Sequence, residues 1–243
     1  PMTIADDGRY AATLPPQPEA TIVQFYVEAV DEQGAVSQFP VDGPTSRALY
    51  QVEDYVGPPN NIDRLRIILM EGDHDGLFSS VNRMSNRYHP ITFLRNSQIF
   101  YDVDLRLVGS PFIRPRSGFK VKFHSDQALY GVHDSIRLDL NGLHEIVLKQ
   151  MLNRAGRSQN SAYDDIAFLV GPRGSDSQEA LLSLARYETI YLNEQFENGG
   201  DGTRYELESV VWPKDPLDGV EGLKQSIGQR AADIGVDKVT AES

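Results

Sequence analysis

The chain has 243 residues, enough for one to two domains with a sizeable core, and its 40% hydrophobic and 24% charged content is that of a globular protein. A net charge of -12 disfavours nucleic acid and anionic membrane as general partners, because a phosphate backbone needs a basic footprint, yet it tolerates a local basic pocket for a small anion. With no cysteine, disulfides, thiolate catalysis and Cys-based zinc sites are excluded; no apolar run is long enough to span a bilayer, and PMTIADDGRY at the start is not a signal peptide.

Residues 1–19 are polar, carry Pro15, Pro16 and Pro18, and read as a lead or linker. Thr21 to Val30 alternates, with Val23, Phe25, Val27 and Ala29 on one side, and predicts a half-buried strand. Asp31-Glu32-Gln33-Gly34 is a turn, and Val36 to Leu49 is broken by Pro40, Gly43 and Pro44. Residues 20–56 therefore read as the last part of an immunoglobulin-type β-sandwich. Gly57-Pro58-Pro59-Asn60-Asn61 marks a boundary, and Arg64 to Met70 is a strand. Glu71 to Gly76 reads as a loop, with a short helix near Phe78 to Met84. Ile91 to Arg95 and Ile99 to Val108 form an antiparallel pair around Asn96-Ser97, with Ile99, Tyr101, Val103, Leu105 and Leu107 sharing a face.

In Gly118 to Phe123, Phe119, Val121 and Phe123 face a core while Lys120 and Lys122 share the other side. Ser135 to Leu140 is a strand, Asn141 caps the following helix, and Leu143, Ile146, Val147, Met151 and Ala155 keep helical spacing until Gly156 ends it. Ile166 to Val170 is a strand; Glu179 to Phe196 is either one long helix or a strand to Arg186 followed by a short helix. Asn198 to Gly202 is a tight loop, Tyr205 to Trp212 a strand, and residues 213–243, rich in Gly and Asp, read as loosely ordered. The composition of both ends suggests a piece of a longer protein.

The densest basic cluster of this acidic chain is Arg116, Lys120 and Lys122 beside the Gly109-Ser110 turn. It reads either as an anion pocket or as a solvated strand face on which lysines guard against aggregation. Glu145 is either a partner for one of these lysines or an i, i+4 partner of Lys149. Asp73-His74-Asp75 has metal-ligand chemistry but sits in turn-like surroundings, as does Asp164-Asp165 before a strand. No histidine pair has HExxH spacing and Ser110 lacks a GxSxG context, which disfavours zinc and serine hydrolases. A carbohydrate-active enzyme has weak support, with no convincing carboxylate pair and one tryptophan.

Arg106-Leu107-Val108-Gly109-Ser110, then Arg116-Ser117-Gly118-Phe119-Lys120-Val121-Lys122-Phe123, then Leu138-Asp139-Leu140, then Glu145 ahead of Gly156, resemble in order the motifs of the CotH kinase family, atypical protein kinases named for a bacterial spore-coat protein. The resemblance spans roughly Arg64 to Trp212 and extends to Leu184-Ala185-Arg186-Tyr187 and Gly200 to Tyr205. It implies an ATP-binding fold that uses Mg2+ or Mn2+ and phosphorylates Ser or Thr of a protein substrate. Carried over, Gly109 and Ser110 start the phosphate-covering loop, Arg116 belongs to that basic segment, Lys120 or Lys122 holds the phosphates, Glu145 orients the lysine, and Ala185 and Tyr187 lie beside the adenine. Ala185 stands where the family pattern has a glutamate, and nothing after Trp212 matches the segments with the catalytic and metal-binding aspartates. Phosphoryl transfer needs the metal and a positioned nucleophile, so this stretch alone is expected to be inactive.

The expected architecture is accordingly α+β: a protein-kinase-like N-lobe at 62–212, an antiparallel sheet with one packed helix, preceded by a partial β-sandwich and followed at 213–243 by the start of a C-lobe. The expected setting is a multidomain bacterial protein, extracellular or at the cell surface. The competing expectation is a non-catalytic adhesion or scaffold module of such a protein.

Overall fold

The structure, a computed structural model, describes residues 2–4, 6–53, 62–82, 84–109, 118–140, 143–155, 164–184, 192–193 and 196–201. Five strands follow one another from the middle of the chain, β7 (Asp63–Ile68), β8 (His89–Arg95), β9 (Gln98–Leu107), β10 (Gly118–Lys122) and β11 (Ser135–Asp139), each antiparallel to the last. The sheet then closes through β12 (Asp165–Val170) and β13 (Gln178–Ser183): β13 pairs with β11, β12 with β13, and β12 runs parallel to β7. The result is a seven-stranded barrel in the order β10-β11-β13-β12-β7-β8-β9, with β9 bonded back to β10.

Alternation decides what fills it. Leu65 and Ile67, Ile91 and Phe93, Val103, Leu105 and Leu107, Phe119 and Val121, Ile136 and Leu138, Ala167 and Leu169, and Ala180 and Leu182 all belong to one buried cluster. Toward one end, the rings of Phe93, Phe100 and Phe123 meet at 5.0–6.2 Å between centroids. Toward the other, α1 (Glu71–Phe78) inserts Leu77 into the core and sets Phe78 edge-on to Phe119. Each fully buried large side chain contributes about 1.5–3 kcal/mol.

This overturns the expected kinase-like N-lobe with one packed helix. An open sheet has one apolar face that a helix must cover; a closed barrel turns that face inward, and its own side chains cover one another. The helix after β11, α2 (Leu143–Ala155), is accordingly only lightly applied, near β13. Ile146 is half-buried, whereas Val147, Leu148 and Met151 are 60%, 56% and 62% exposed.

Among the described residues the amino-terminal strands do not form the two packed sheets of the expected partial β-sandwich. The single strand expected over Thr21 to Val30 breaks at Phe25-Tyr26 into β3 (Ile22–Gln24) and β4 (Val27–Val30). β3 pairs with β6 (Leu49–Gln51) and β4 with β5 (Val36–Phe39), giving two separate two-stranded ladders, while β1 (Thr3–Ile4) and β2 (Tyr10–Ala11) form a third, exposed one. Such ladders have marginal stability alone, and the barrel supplies the missing contacts. Thr92 Oγ1 accepts from the Leu49 N–H at 2.8 Å and donates to the Arg47 carbonyl, and Asp102 Oδ1 accepts from the Arg47 N–H. Phe25 and Phe39 pack edge-on against Tyr101, and Glu53 and Gln51 pair with Arg66 of β7.

The clasp on Arg47 exists because β9 is bulged. Opposite Ile91 and Phe93, β9 spends one residue more than β8, and Asp102 takes φ +54° to accommodate it. The expected common face of Ile99, Tyr101, Val103, Leu105 and Leu107 is therefore broken: Phe100 is buried, Ile99 is exposed, and the inward phase resumes at Val103.

Candidate anion-binding face

With Phe119 and Val121 inside, β10 presents Lys120 and Lys122 outward, on one side as period 2 requires. The barrel's register separates them. Lys120 lies between Arg106 of β9 and Arg137 of β11, so three cations occupy one rung across three strands. Lys122, two residues on and more exposed, lies between Asp104 and Ser135. Burial pushes the Asp104 carboxyl above its usual range, and the neighbouring Lys122 and His124 charges pull it back. Lys122 thus has a carboxylate as its cross-strand neighbour, whereas Lys120 has a guanidinium on each side.

Like charges directly opposite one another destabilise a sheet. At roughly 6 Å in water-like dielectric each such contact costs about 0.7 kcal/mol. Partial relief is built in. Arg106 Nη1 donates to Asn86 Oδ1 at 3.0 Å and its guanidinium lies 5.5 Å from the Tyr88 ring centroid. Arg137 Nη2 donates to Asp139 Oδ2 at 2.9 Å, two residues along its own strand. Further along, two residues past β9, Gly109 takes φ +109°, a backbone region open mainly to glycine. Gly118 opens β10 at φ +138°, where a Cβ would stand 1.9 Å from the Leu138 carbonyl oxygen. Gly118 thus lets β10 and β11 close up at this end of the strand.

The helix acid is elsewhere. Glu145 lies 3.7 Å from Lys149 Nζ, one turn along α2, and Lys149 also reaches the buried carboxylate of Asp164. Asp164 in turn accepts the Leu184 N–H at 3.1 Å. The partner of Glu145 here is therefore Lys149 rather than a lysine of β10, and Lys149 pins α2 to the start of β12. Ser110, Arg116, Ala185 and Tyr187 lie outside the described residues.

The Asp73-His74-Asp75 stretch, expected as a loop, is the middle of α1. Glu71 and Asp73 in its first turn complement the helix dipole. Asp73 accepts from Arg47 Nε at 2.8 Å. Among the described residues no three His, Asp or Glu side chains converge as a metal site. An open cavity of about 360 Å³ lies at the hairpin end of the barrel, lined by Gln98, Ile99, Phe100, Ser125 and Asp126 among others, away from the basic rung. Among the described residues no helix is long and apolar enough to cross a membrane.

Arg106 and Arg137 received no role from the sequence, although Arg106 stands inside a quoted motif and Arg137 directly precedes another. Alternation alone places each of them outward on its strand. What the sequence lacks is the lateral register that brings them beside Lys120. In comparison with known proteins, no family model matches the chain and no curated protein matches it.

Proposed function

We propose that this chain is the ATP-phosphate-binding part of a CotH-kinase-like phosphotransferase, within a multidomain protein of the bacterial surface or exterior. The observation that supports it is the outward rung of three cations, three residues before the Gly109 bend, in a chain of net charge -12. Oriented cations stabilise transferring phosphoryl groups chiefly by electrostatics and positioning. ATP with Mg2+ or Mn2+ is the cofactor in this reading, and the Ser or Thr acceptor belongs to a protein substrate. The barrel replaces the lobe as the scaffold, so only the phosphate-binding chemistry is carried over. Titrating the full chain with ATP and Mg2+ tests it: saturable binding that weakens with ionic strength, and is lost on Lys120→Glu, is expected. No saturation at millimolar nucleotide overturns the reading.

A second reading, a non-catalytic adhesion or scaffold module, is favoured by one specific observation. Glu145 is engaged with Lys149 on its own helix, and the lysine–glutamate clasp that the resemblance implies is not formed. Absence of nucleotide binding with an intact fold would favour this alternative.

A further inference from the structure

We propose that Lys120, and not Lys122, is the phosphate-holding lysine, and that Arg106 and Arg137 flank it to bind a chain of linked phosphates lying across strands β9, β10 and β11. The inference rests on the nucleotide-binding reading for its ligand and on the strand register for its residues. Both lysines point outward, so alternation cannot choose between them. Lateral pairing does. Lys120 is opposite Arg106 on one side and Arg137 on the other. Lys122 is opposite Asp104 and Ser135, and the Asp104 charge that attracts Lys122 also repels an incoming phosphate.

The line of cations suits an extended polyanion. Neighbouring strands lie about 4.8 Å apart, so the three cations follow one another along a line perpendicular to the strands. A di- or triphosphate laid along that line can meet all three. Two of the three are arginines, whose planar forks suit phosphate oxygens. The Arg137 Nε is out of solvent and, among the described residues, has no hydrogen-bond partner; its Nη2 is held by Asp139, so the guanidinium is oriented rather than swinging free. Arg106 is steadied in the same way by Asn86 and Tyr88.

The test is calorimetric titration of the full chain with inorganic tripolyphosphate, and separately with ATP and Mg2+, for wild type, K120M, R137Q, R137K and K122M. Circular dichroism confirms the fold of each. Losing one charge-assisted contact weakens tripolyphosphate by about 10-fold or more in K120M and R137Q. R137K recovers part of the loss, and K122M shifts less than about 2-fold on the same scale. A loss in K122M equal to or larger than that in K120M overturns the assignment, as does tripolyphosphate binding that none of the variants alters. ATP bound with wild-type affinity by every variant overturns the assignment while leaving nucleotide binding standing. Tripolyphosphate held by the rung without any ATP binding supports the assignment and refutes the nucleotide reading. Binding of neither ligand refutes both.

Discussion

Replacing Thr92 by valine tests how the amino-terminal ladders are held to the barrel. Thr92 is fully buried, and its hydroxyl both accepts from the Leu49 N–H and donates to the Arg47 carbonyl. Valine keeps the side chain's volume but can do neither. The Leu49 N–H is then left unpaired beside Ala48 and Leu49, both of which are buried, and the Arg47 carbonyl loses its donor. Each unsatisfied buried group costs about 1–3 kcal/mol, so a loss of about 2–6 kcal/mol is expected for the pair. In a chain of this size 1 kcal/mol moves the midpoint by about 2–4 °C, which puts the melting temperature about 4–24 °C lower. Thr92→Ser keeps both hydrogen bonds and loses one methyl, at a cost of about 1 kcal/mol. Calorimetry and urea unfolding measure both variants. If the valine variant lies within about 0.5 kcal/mol of wild type, or is no worse than the serine variant, the clasp does not carry the stability assigned to it.

Gly118→Ala places a Cβ against the Leu138 carbonyl at a left-handed φ and should destabilise the barrel by at least about 3 kcal/mol in chemical denaturation; a change under 1 kcal/mol would contradict the register of β10 and β11. His89 is buried against Gly76 of α1, and burial holds its pKa below the usual histidine value, with Asp73 opposing and Arg87 adding to the depression. The unfolded chain therefore takes up a proton near pH 6.5 that the folded one refuses. Stability should fall as pH drops below 6.5 toward the folded pKa, by at most about 1.4 kcal/mol per pH unit from this group. Denaturation midpoints of wild type and His89→Gln across pH 5–8 measure the difference, and parallel profiles would refute it.

Local pattern made much of the barrel legible. The turn at Asn96-Ser97, the alternation of β10 and β11, and the apolar run of β12 each announce a strand, and helical spacing after Asn141 announces α2. Closure was not legible. It depends on the parallel pairing of β12 with β7, two strands far apart in sequence, and neither carries a local mark of its partner. An antiparallel sheet with a helix in chain order fits an open, helix-covered sheet equally well, which is why the expected lobe was wrong. The bulge at Asp102 inverts the alternation of β9 midway, and a period-2 reading carried through it puts Ile99 and Tyr101 on the wrong side. α1 was obscured because Gly72 and Gly76 and three acids look like a turn, while the burial of Leu77 that supports the helix is tertiary.

At the candidate face, the outward aim of Lys120 and Lys122 followed from the residues alone. The difference between them did not, because it resides in what the two neighbouring strands place alongside: arginines at one rung, an aspartate at the next. Glu145 illustrates the opposite case. The i, i+4 spacing to Lys149 was visible in the sequence, and that local pair is the one that forms.

The most direct test of the account follows backbone amide resonances of the full chain while ATP and Mg2+ are added. Saturable shifts concentrated at Arg106, Gly109, Lys120 and Arg137 are expected, with Lys149 and Asp164 unmoved. Shifts centred on the cavity at Gln98 and Asp126, or none at saturating nucleotide, would contradict it.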